Sequence, residues 1–222
     1  MVGNPRQRSG EDRERIFAVG DIHGCYDKLV ALMGKIDVDW NLDKLIFLGD
    51  YIDRGPNAFE VVEYLVTLRK KYSRIIFLKG NHEEMLEKYL SGADRLNYLQ
   101  DGGQPTLDSY LKHWRGEGGP IPEEHLDFFR SLVLFHETTD YIFVHAGLRV
   151  GVPLERQVAG DLLWIRDRFI QSKGDFGKRV VFGHTPFQEP LVQKNKIGID
   201  TGAVYNNELT CVRLPDETFF SV

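Results

Sequence analysis

One order of residues recurs three times before Leu90: a short apolar run, a glycine, side chains able to bind a metal or move a proton, then a helical pattern. Arg15 to Val19 leads into Gly20-Asp21-Ile22-His23-Gly24, and Leu45 to Leu48 into Gly49-Asp50-Tyr51-Ile52-Asp53-Arg54-Gly55. Arg74 to Leu78 leads, through Lys79, into Gly80-Asn81-His82-Glu83. Short apolar runs closed by glycine read as buried strands, and strands alternating with helices read as α/β units. Ligand sites of such sheets lie outside the carboxyl ends of the strands. The chain is thereby constrained to deliver its chemistry to one sheet edge.

The helical patterns between these strands are amphipathic. Cys25 to Ile36 carries the stripe Leu29, Leu32, Met33 and Ile36, and Asn57 to Lys71 carries Phe59, Val62, Leu65 and Val66. Arg69-Lys70-Lys71 complements the negative end of the second helix. Ser91 to Glu123 is rich in glycine and proline and is expected to form loops and short helices over the strand ends. Trp114 and Tyr110 there fit either a substrate surface or local packing. Pro122 to Leu132 reads as a helix. Val133–Leu134, Tyr141–Val144 and Arg179–Phe182 restart the strand pattern, and Ile197–Asp200 and Glu208–Arg213 close it.

Two of the later runs end as the early ones do, in His145-Ala146-Gly147 and Gly183-His184-Thr185. Of the 7 histidines, His23, His82, His145 and His184 lie beside glycines at strand ends, whereas His113, His125 and His136 do not. Asp21 and His23, two apart, leave an extended backbone on the same face. Oxygen and imidazole nitrogen donors suit divalent metals, although an Asp in such a turn also serves as a helix cap. The candidate donors are Asp21, His23, Asp50, Asn81, His145 and His184, with His82, Asp53, Arg54 and Arg166 around them. Six donors and no thiolate exceed one catalytic ion and fit two, sharing a carboxylate. An arginine fork matches phosphate bidentately, which gives Arg54 a reading beyond a turn. Arg166 reads either as a second phosphate grip or as half of a surface ion pair.

Composition narrows the partners. A formal net charge of -5 argues against nucleic acid held on a general basic surface. The two cysteines, Cys25 and Cys211, form no zinc or disulfide pattern. No apolar run reaches the roughly 20 residues a membrane helix needs, and the N-terminus lacks a signal-peptide core. A cytoplasmic location and no membrane partner are expected. Residues 1–14 are polar and expected to be a disordered tail, with a single domain over 15–222.

The motifs Gly-Asp-Ile-His-Gly, Gly-Asp-Tyr-Ile-Asp-Arg-Gly, Gly-Asn-His-Glu, His-Ala-Gly and Gly-His-Thr, in this order, resemble the metallophosphoesterases of the phosphoprotein phosphatase family. The compact bacterial and phage lambda-type enzymes are similar in size. The resemblance implies a calcineurin-like α/β fold, a central β-sandwich of two mixed sheets flanked by helices. It implies that Asp21 and His23 hold one divalent ion, that Asn81, His145 and His184 hold another, and that Asp50 bridges them. Manganese is the expected metal, with iron or zinc as alternatives. His82, oriented by Asp53, becomes the general acid opposite a hydroxide bridging the ions, and Arg54 and Arg166 hold the phosphoryl oxygens. The implied substrate is a phosphoprotein or phosphopeptide cleaved by a protein serine/threonine phosphatase. The alternative is a dinucleoside polyphosphate hydrolase acting on a nucleotide. Symmetrical diadenosine tetraphosphatases typically lack an acid at the Asp53 position, which leans the resemblance toward the first. A non-enzymatic alternative, an inactive metal-binding module for phosphoproteins, has no use for a proton donor at His82.

Overall fold

The apolar runs pair into two sheets. In the computed structural model, which describes residues 14–222, the elements begin β1 (Ile16–Val19), α1 (Tyr26–Lys35), β2 (Lys44–Phe47), α2 (Ala58–Lys71), β3 (Ile75–Phe77) and α3 (Asn81–Leu90). They continue through α4 (Arg95–Tyr98), α5 (Gln104–His113), α6 (Glu123–Arg130), β4 (Phe135–Glu137) and β5 (Tyr141–Val144). The last are α7 (Ala159–Trp164), α8 (Asp167–Ile170), β6 (Arg179–Phe182), β7 (Leu191–Val192), β8 (Lys196–Gly198), β9 (Thr210–Leu214) and β10 (Thr218–Ser221). The first sheet has the order β10-β9-β1-β2-β3 and the second β4-β5-β6-β8-β7. In each sheet three neighbours run parallel, β1-β2-β3 in one and β5-β6-β8 in the other, with antiparallel strands outside them. The architecture is the mixed two-sheet sandwich flanked by helices that the motifs implied.

Alternation along each run decides how the sheets stack. Ile16, Ala18, Ile46 and Leu48 point to the same apolar layer as Phe143, Val181, Ile197, Val212 and Leu214. Phe17, Val19, Leu45 and Phe47 point the other way, onto α1, α2 and α6 through Leu29, Leu32, Val62, Leu65 and Phe128. On the far side of the second sheet, Ile142, Val144, Val180 and Phe182 pack with Leu148, Leu162 and Phe169. Both faces of the central strands are thus covered, which is why they read as unbroken apolar runs.

Several expectations shift in register. Val133–Leu134 is not a strand: Val133 makes a single bridge to Leu78, and β4 begins at Phe135. The Val133 N–H donates to Phe77 O at 3.2 Å, and Val133 O accepts from Lys79 N–H at 2.8 Å. The chain touches the edge of the first sheet there and then crosses to the second. The edge strands β7 and β10, two and four residues long, were not expected. Tyr110 is buried and bonds His125, so it belongs to packing, while Trp114 is exposed. The 1–13 part of the expected tail lies outside the described residues. Glu14 pairs with Lys44 at 3.5 Å and with Arg74. Among the described residues no helix is long and apolar enough to cross a membrane.

Phe143 is fully buried between the sheets. Phe143→Ala is expected to cost about 3–5 kcal/mol by lost transfer energy and a residual cavity. Urea unfolding should show a lower midpoint at unchanged slope.

Candidate active site

The carboxyl ends of all six parallel strands open onto one place. β1 delivers Asp21 and His23, β2 delivers Asp50, Asp53 and Arg54, and β3 runs into Asn81 and His82 at the start of α3. From the second sheet come His145 after β5, His184 after β6 and Asp200 after β8. All seven candidate acids and imidazoles of the sequence, and Asn81, are buried.

Asp50 is the meeting point. Its Oδ2 lies 3.4 Å from His23 Nε2 and 4.0 Å from His82 Nε2, and its Oδ1 lies 3.4 Å from His145 Nε2. Two triads of ligand atoms share it, His23-Asp50-His82 and Asp50-His145-His184, each within 4.8 Å. Asn81 Oδ1 stands 2.9 Å from both His145 Nε2 and His184 Nδ1. Asp21 accepts the His184 N–H at 2.9 Å.

Hydrogen bonds set the tautomers. His23 Nδ1–H donates to Ile52 O at 2.8 Å and His145 Nδ1–H to Leu48 O at 2.9 Å. Each ring therefore turns an unprotonated Nε2 inward, the orientation that metal-binding histidines take. The consequence at His145 is a clash of acceptors: its Nε2 lone pair faces Asn81 Oδ1 and Asp50 Oδ1 with no proton between them. Among the described residues the Nε2 atoms of His82 and His184 are buried without a hydrogen-bond partner, an arrangement costing about 1–3 kcal/mol per group when nothing fills it. Convergent lone pairs of oxygen and nitrogen, without thiolate, are the donor set of divalent cations. The residues fit two ions sharing Asp50.

The charges agree. Burial works against the Asp50 carboxylate, and protonated imidazoles around it, at His145, His82, His23 or His184, pull its pKa well below the usual range; of the four, His82 is the one whose own pKa is raised. Burial lowers His23 to about 3 and, with help from His145, His184 to about 2, so these rings are neutral donors. Burial, then Asp200 and Asp50, push Asp21 well up. Buried carboxylates that repel one another are a site short of positive charge.

His82 is held differently. Its Nδ1 bonds Asp53 Oδ2 at 2.7 Å, and Asp53 Oδ1 accepts from Tyr98 Oη–H and Thr106 Oγ1–H, both at 2.7 Å. Burial pulls the His82 imidazole down, but the Asp50 charge and the Asp53 bond outweigh it and raise its pKa above the ordinary histidine value. Arg54 Nη1 donates to His23 Nε2 at 2.7 Å. Arg166 is exposed at the rim, its Nη1 on His184 O at 3.1 Å and Thr185 Oγ1 at 3.3 Å, and among the described residues it pairs with no acid.

Four contributing residues escaped the sequence reading. Glu83 lies beneath Asp50 and accepts three backbone N–H groups, from Asp50 at 3.0 Å, Tyr51 at 2.8 Å and Gly80 at 2.9 Å. Burial and then Asp50 push its pKa up to about 8, against the pull of those N–H groups. Its signal was local: a glutamate three residues into a helix whose cap is Gly80. Asp200 carried a signal too, following the apolar Ile197-Gly198-Ile199; burial raises its pKa to about 6. Tyr98 and Thr106 carried none, since their meaning depends on a partner some 50 positions away.

Local backbone strain marks the same place. Among the described residues seven non-glycines have positive φ, and His23 (46°), Asp50 (52°), Asp53 (70°), Arg54 (67°) and His184 (65°) are five of them. Such residues cost of order 1–3 kcal/mol each and persist where surrounding structure over-determines them.

Residues 14–213 match the sequence model of the family described as calcineurin-like phosphoesterase. The chain belongs to that family, and is a metal-dependent hydrolase of phosphoester bonds; the family uses a dinuclear divalent metal site. The particular relatives are nucleotide enzymes by name. The asymmetrical bis(5'-nucleosyl)-tetraphosphatase PrpE of Geobacillus sp. (strain WCH70) is 28% identical over 242 residues, covering 94% of each chain. Its counterpart in Bacillus subtilis (strain 168) is 29% identical over 231 residues, covering 92% of each. A crystal structure described as a candidate diadenosine tetraphosphatase superposes with a TM-score of 0.73 at 23% identity, covering 94% of this chain and 93% of the other. A protein serine/threonine phosphatase of Saccharomyces cerevisiae shares the fold with a TM-score of 0.64 at 16% identity, covering 95% and 79%.

Backbone closeness sets the donor positions. A Cβ on Gly80 would stand 2.1 Å from Asp50 Oδ1, and one on Gly183 2.1 Å from Asp21 Oδ1. Gly183→Ala is expected to weaken Mn²⁺ binding at least tenfold in titration calorimetry while leaving the helical circular dichroism intact.

Proposed function

We propose that the chain hydrolyses dinucleoside polyphosphates of the diadenosine tetraphosphate type, with asymmetrical cleavage to a nucleoside triphosphate and a nucleoside monophosphate. This reverses the order of the two substrate classes drawn from the motifs, where protein serine/threonine phosphatase stood first. The end-to-end similarity to tetraphosphatases, over more than nine-tenths of both chains, carries the substrate class. The motif residues alone are common to both activities. Asp53, whose acid symmetrical tetraphosphatases typically lack, accords with the asymmetrical mode.

Asp21, His23 and Asp50 would hold one divalent ion, and Asp50, Asn81, His145 and His184 the other. When bound, such a pair supplies an activated water for in-line attack on phosphorus and positive charge for the phosphoryl oxygens. The chain's own groups do the rest. Arg54, permanently charged and hydrogen-bonded at His23, and Arg166, with donors free at the rim, bind the non-bridging oxygens of the polyphosphate. His82 donates a proton from Nε2, which among the described residues has no hydrogen-bond partner, to the leaving oxygen. Asp53 fixes the ring through Nδ1 and, after the Asp50 charge, favours its protonated form. Tyr98 and Thr106 fix Asp53 in turn.

The leaving group decides how much His82 matters. A nucleotide leaves as a stable phosphate oxygen, whereas a serine ester leaves as a far more basic alkoxide that requires the proton. His82→Asn is expected to lower kcat about 10²–10⁴-fold on an alkyl phosphate and distinctly less on diadenosine tetraphosphate, with metal content unchanged. Loss of metal would make His82 a ligand instead.

The deciding assay separates products on an anion-exchange column. Diadenosine tetraphosphate should yield ATP and AMP with added Mn²⁺, nothing after chelation, and no pair of ADP molecules. Faster turnover of a phosphoserine peptide than of the dinucleotide would restore the protein phosphatase reading.

A further inference from the structure

Two exposed aromatic rings border the donor cluster, Tyr205 through Arg54 and Trp164 through His184. Tyr205 is 57% exposed and Trp164 40% exposed. Tyr205 ends a one-turn helix, Ala203–Tyr205, entered through Gly202 and left through Asn206, both left-handed. Lys28 of α1 donates its Nζ to Ala203 O at 2.7 Å and to Asn207 O, holding the chain on both sides of Tyr205. Gly202 O accepts the N–H of Tyr205 at 2.9 Å. The turn is tied down, yet its large side chain is turned to solvent. The Arg54 guanidinium lies 5.8 Å from the centre of that ring, and the same guanidinium reaches His23.

Trp164 closes α7. Its ring meets His184 edge-on at 6.3 Å, and its Nε1–H donates to Glu84 Oε2 at 2.8 Å, which fixes the indole in place. Arg166 follows two residues later. Asp50 separates the two sides: its Oδ2 faces His23, next to Arg54 and Tyr205, and its Oδ1 faces His145, next to His184 and Trp164. Each ring is thus joined to the donors through a different histidine, and each has a guanidinium near it.

Fixed, exposed aromatic faces beside phosphate-binding cations match the chemistry of a nucleotide, a flat base attached to an anion. We propose that Tyr205 and Trp164 are stacking platforms for the two bases of a dinucleoside polyphosphate, one on each side of the metal-binding donors. The assignment rests on the nucleotide reading above and extends it: two platforms select substrates with a base at both ends. Stacking tolerates any base, because every base has a π-face. Discrimination then lies in the number of bases more than in their identity.

The test compares binding of a methylene-bridged, non-hydrolysable diadenosine tetraphosphate with binding of inorganic tetraphosphate, by calorimetry on Mn²⁺-loaded protein. The ratio of the two affinities isolates the bases from the phosphates. Tyr205→Leu and Trp164→Leu should each lower that ratio about tenfold, the scale of one base on one ring, while Tyr205→Phe keeps it. Thermal melts check that the variants are folded. An unchanged ratio in both leucine variants, in protein that still cleaves diadenosine tetraphosphate, overturns the platforms and leaves the nucleotide reading standing. A fall in one variant only overturns the two-sided arrangement. A wild-type protein that neither binds nor cleaves the dinucleotide overturns the functional reading and the platforms with it.

Discussion

The Asp50 carboxylate stands between four imidazoles contributed by both sheets, and most of the surrounding structure holds it there. Its backbone turns left-handed immediately after β2. The peptide is gripped from two directions: Asp50 O accepts the N–H groups of Ile22 at 3.0 Å and His23 at 2.9 Å, and Glu83 takes the N–H of Asp50 itself. The His82 N–H, in the first turn of α3, donates to Asp50 Oδ1 at 3.1 Å. A carboxylate at a helix N-terminus meets unsatisfied N–H groups and the positive end of the dipole. The stretches after β1, β2 and β3 are therefore one unit, assembled on a single residue, backbone and side chain together, and Gly80 has no Cβ because Asp50 occupies that space.

The second sheet contributes by position. Its three parallel strands point their carboxyl ends toward the same place as those of the first, because the sandwich is built on a shared layer in which Ala18 and Ile46 oppose Phe143 and Val181. A one-residue slip in β5 or β6 would move Phe143 and Val181 to the outer face and swing His145 and His184 off the site. The apolar alternation that stabilises the sandwich thus also sets the register of the imidazoles. Stability and donor geometry depend on the same hydrogen-bond ladder.

Much of this was legible in the chain, for a physical reason. Each donor follows an apolar run directly, so strand identity alone places it at a sheet end. Asp21, Asp50, Asn81, His145 and His184 could be named before any pairing was known. What could not be read were relations across the sequence: Tyr98 and Thr106 on Asp53, the division of the strands between two sheets, and the crossing at Val133. The minor strands β7 and β10 escaped because edges carry little apolar pattern. The choice between phosphoprotein and nucleotide escaped for another reason. The roles proposed for the motif residues, holding ions, donating a proton and gripping phosphate, all concern the phosphoryl group that both substrates share.

The distribution of backbone strain orders the costs at the site. Left-handed φ is tolerated best by Asn, Asp and His, whose short polar side chains bond locally. Four of the five strained site residues, His23, Asp50, Asp53 and His184, are of that kind. Arg54 is not: a long side chain at φ 67° has no such compensation of its own. Its backbone is held by the bond from its N–H to Gly102 O at 2.9 Å, and its Cγ fills the space beside Gly102 that a Cβ there would enter at 2.9 Å. The stretch from α4 into α5 therefore does more than cover strand ends. It holds the guanidinium at His23 against its backbone preference and, through Tyr98 and Thr106, the acid that orients His82. The glycine-rich stretch with the weakest periodicity in the chain supports His82 and Arg54 together, the proposed proton donor and anion grip, while the two sheets support the candidate donors for metal.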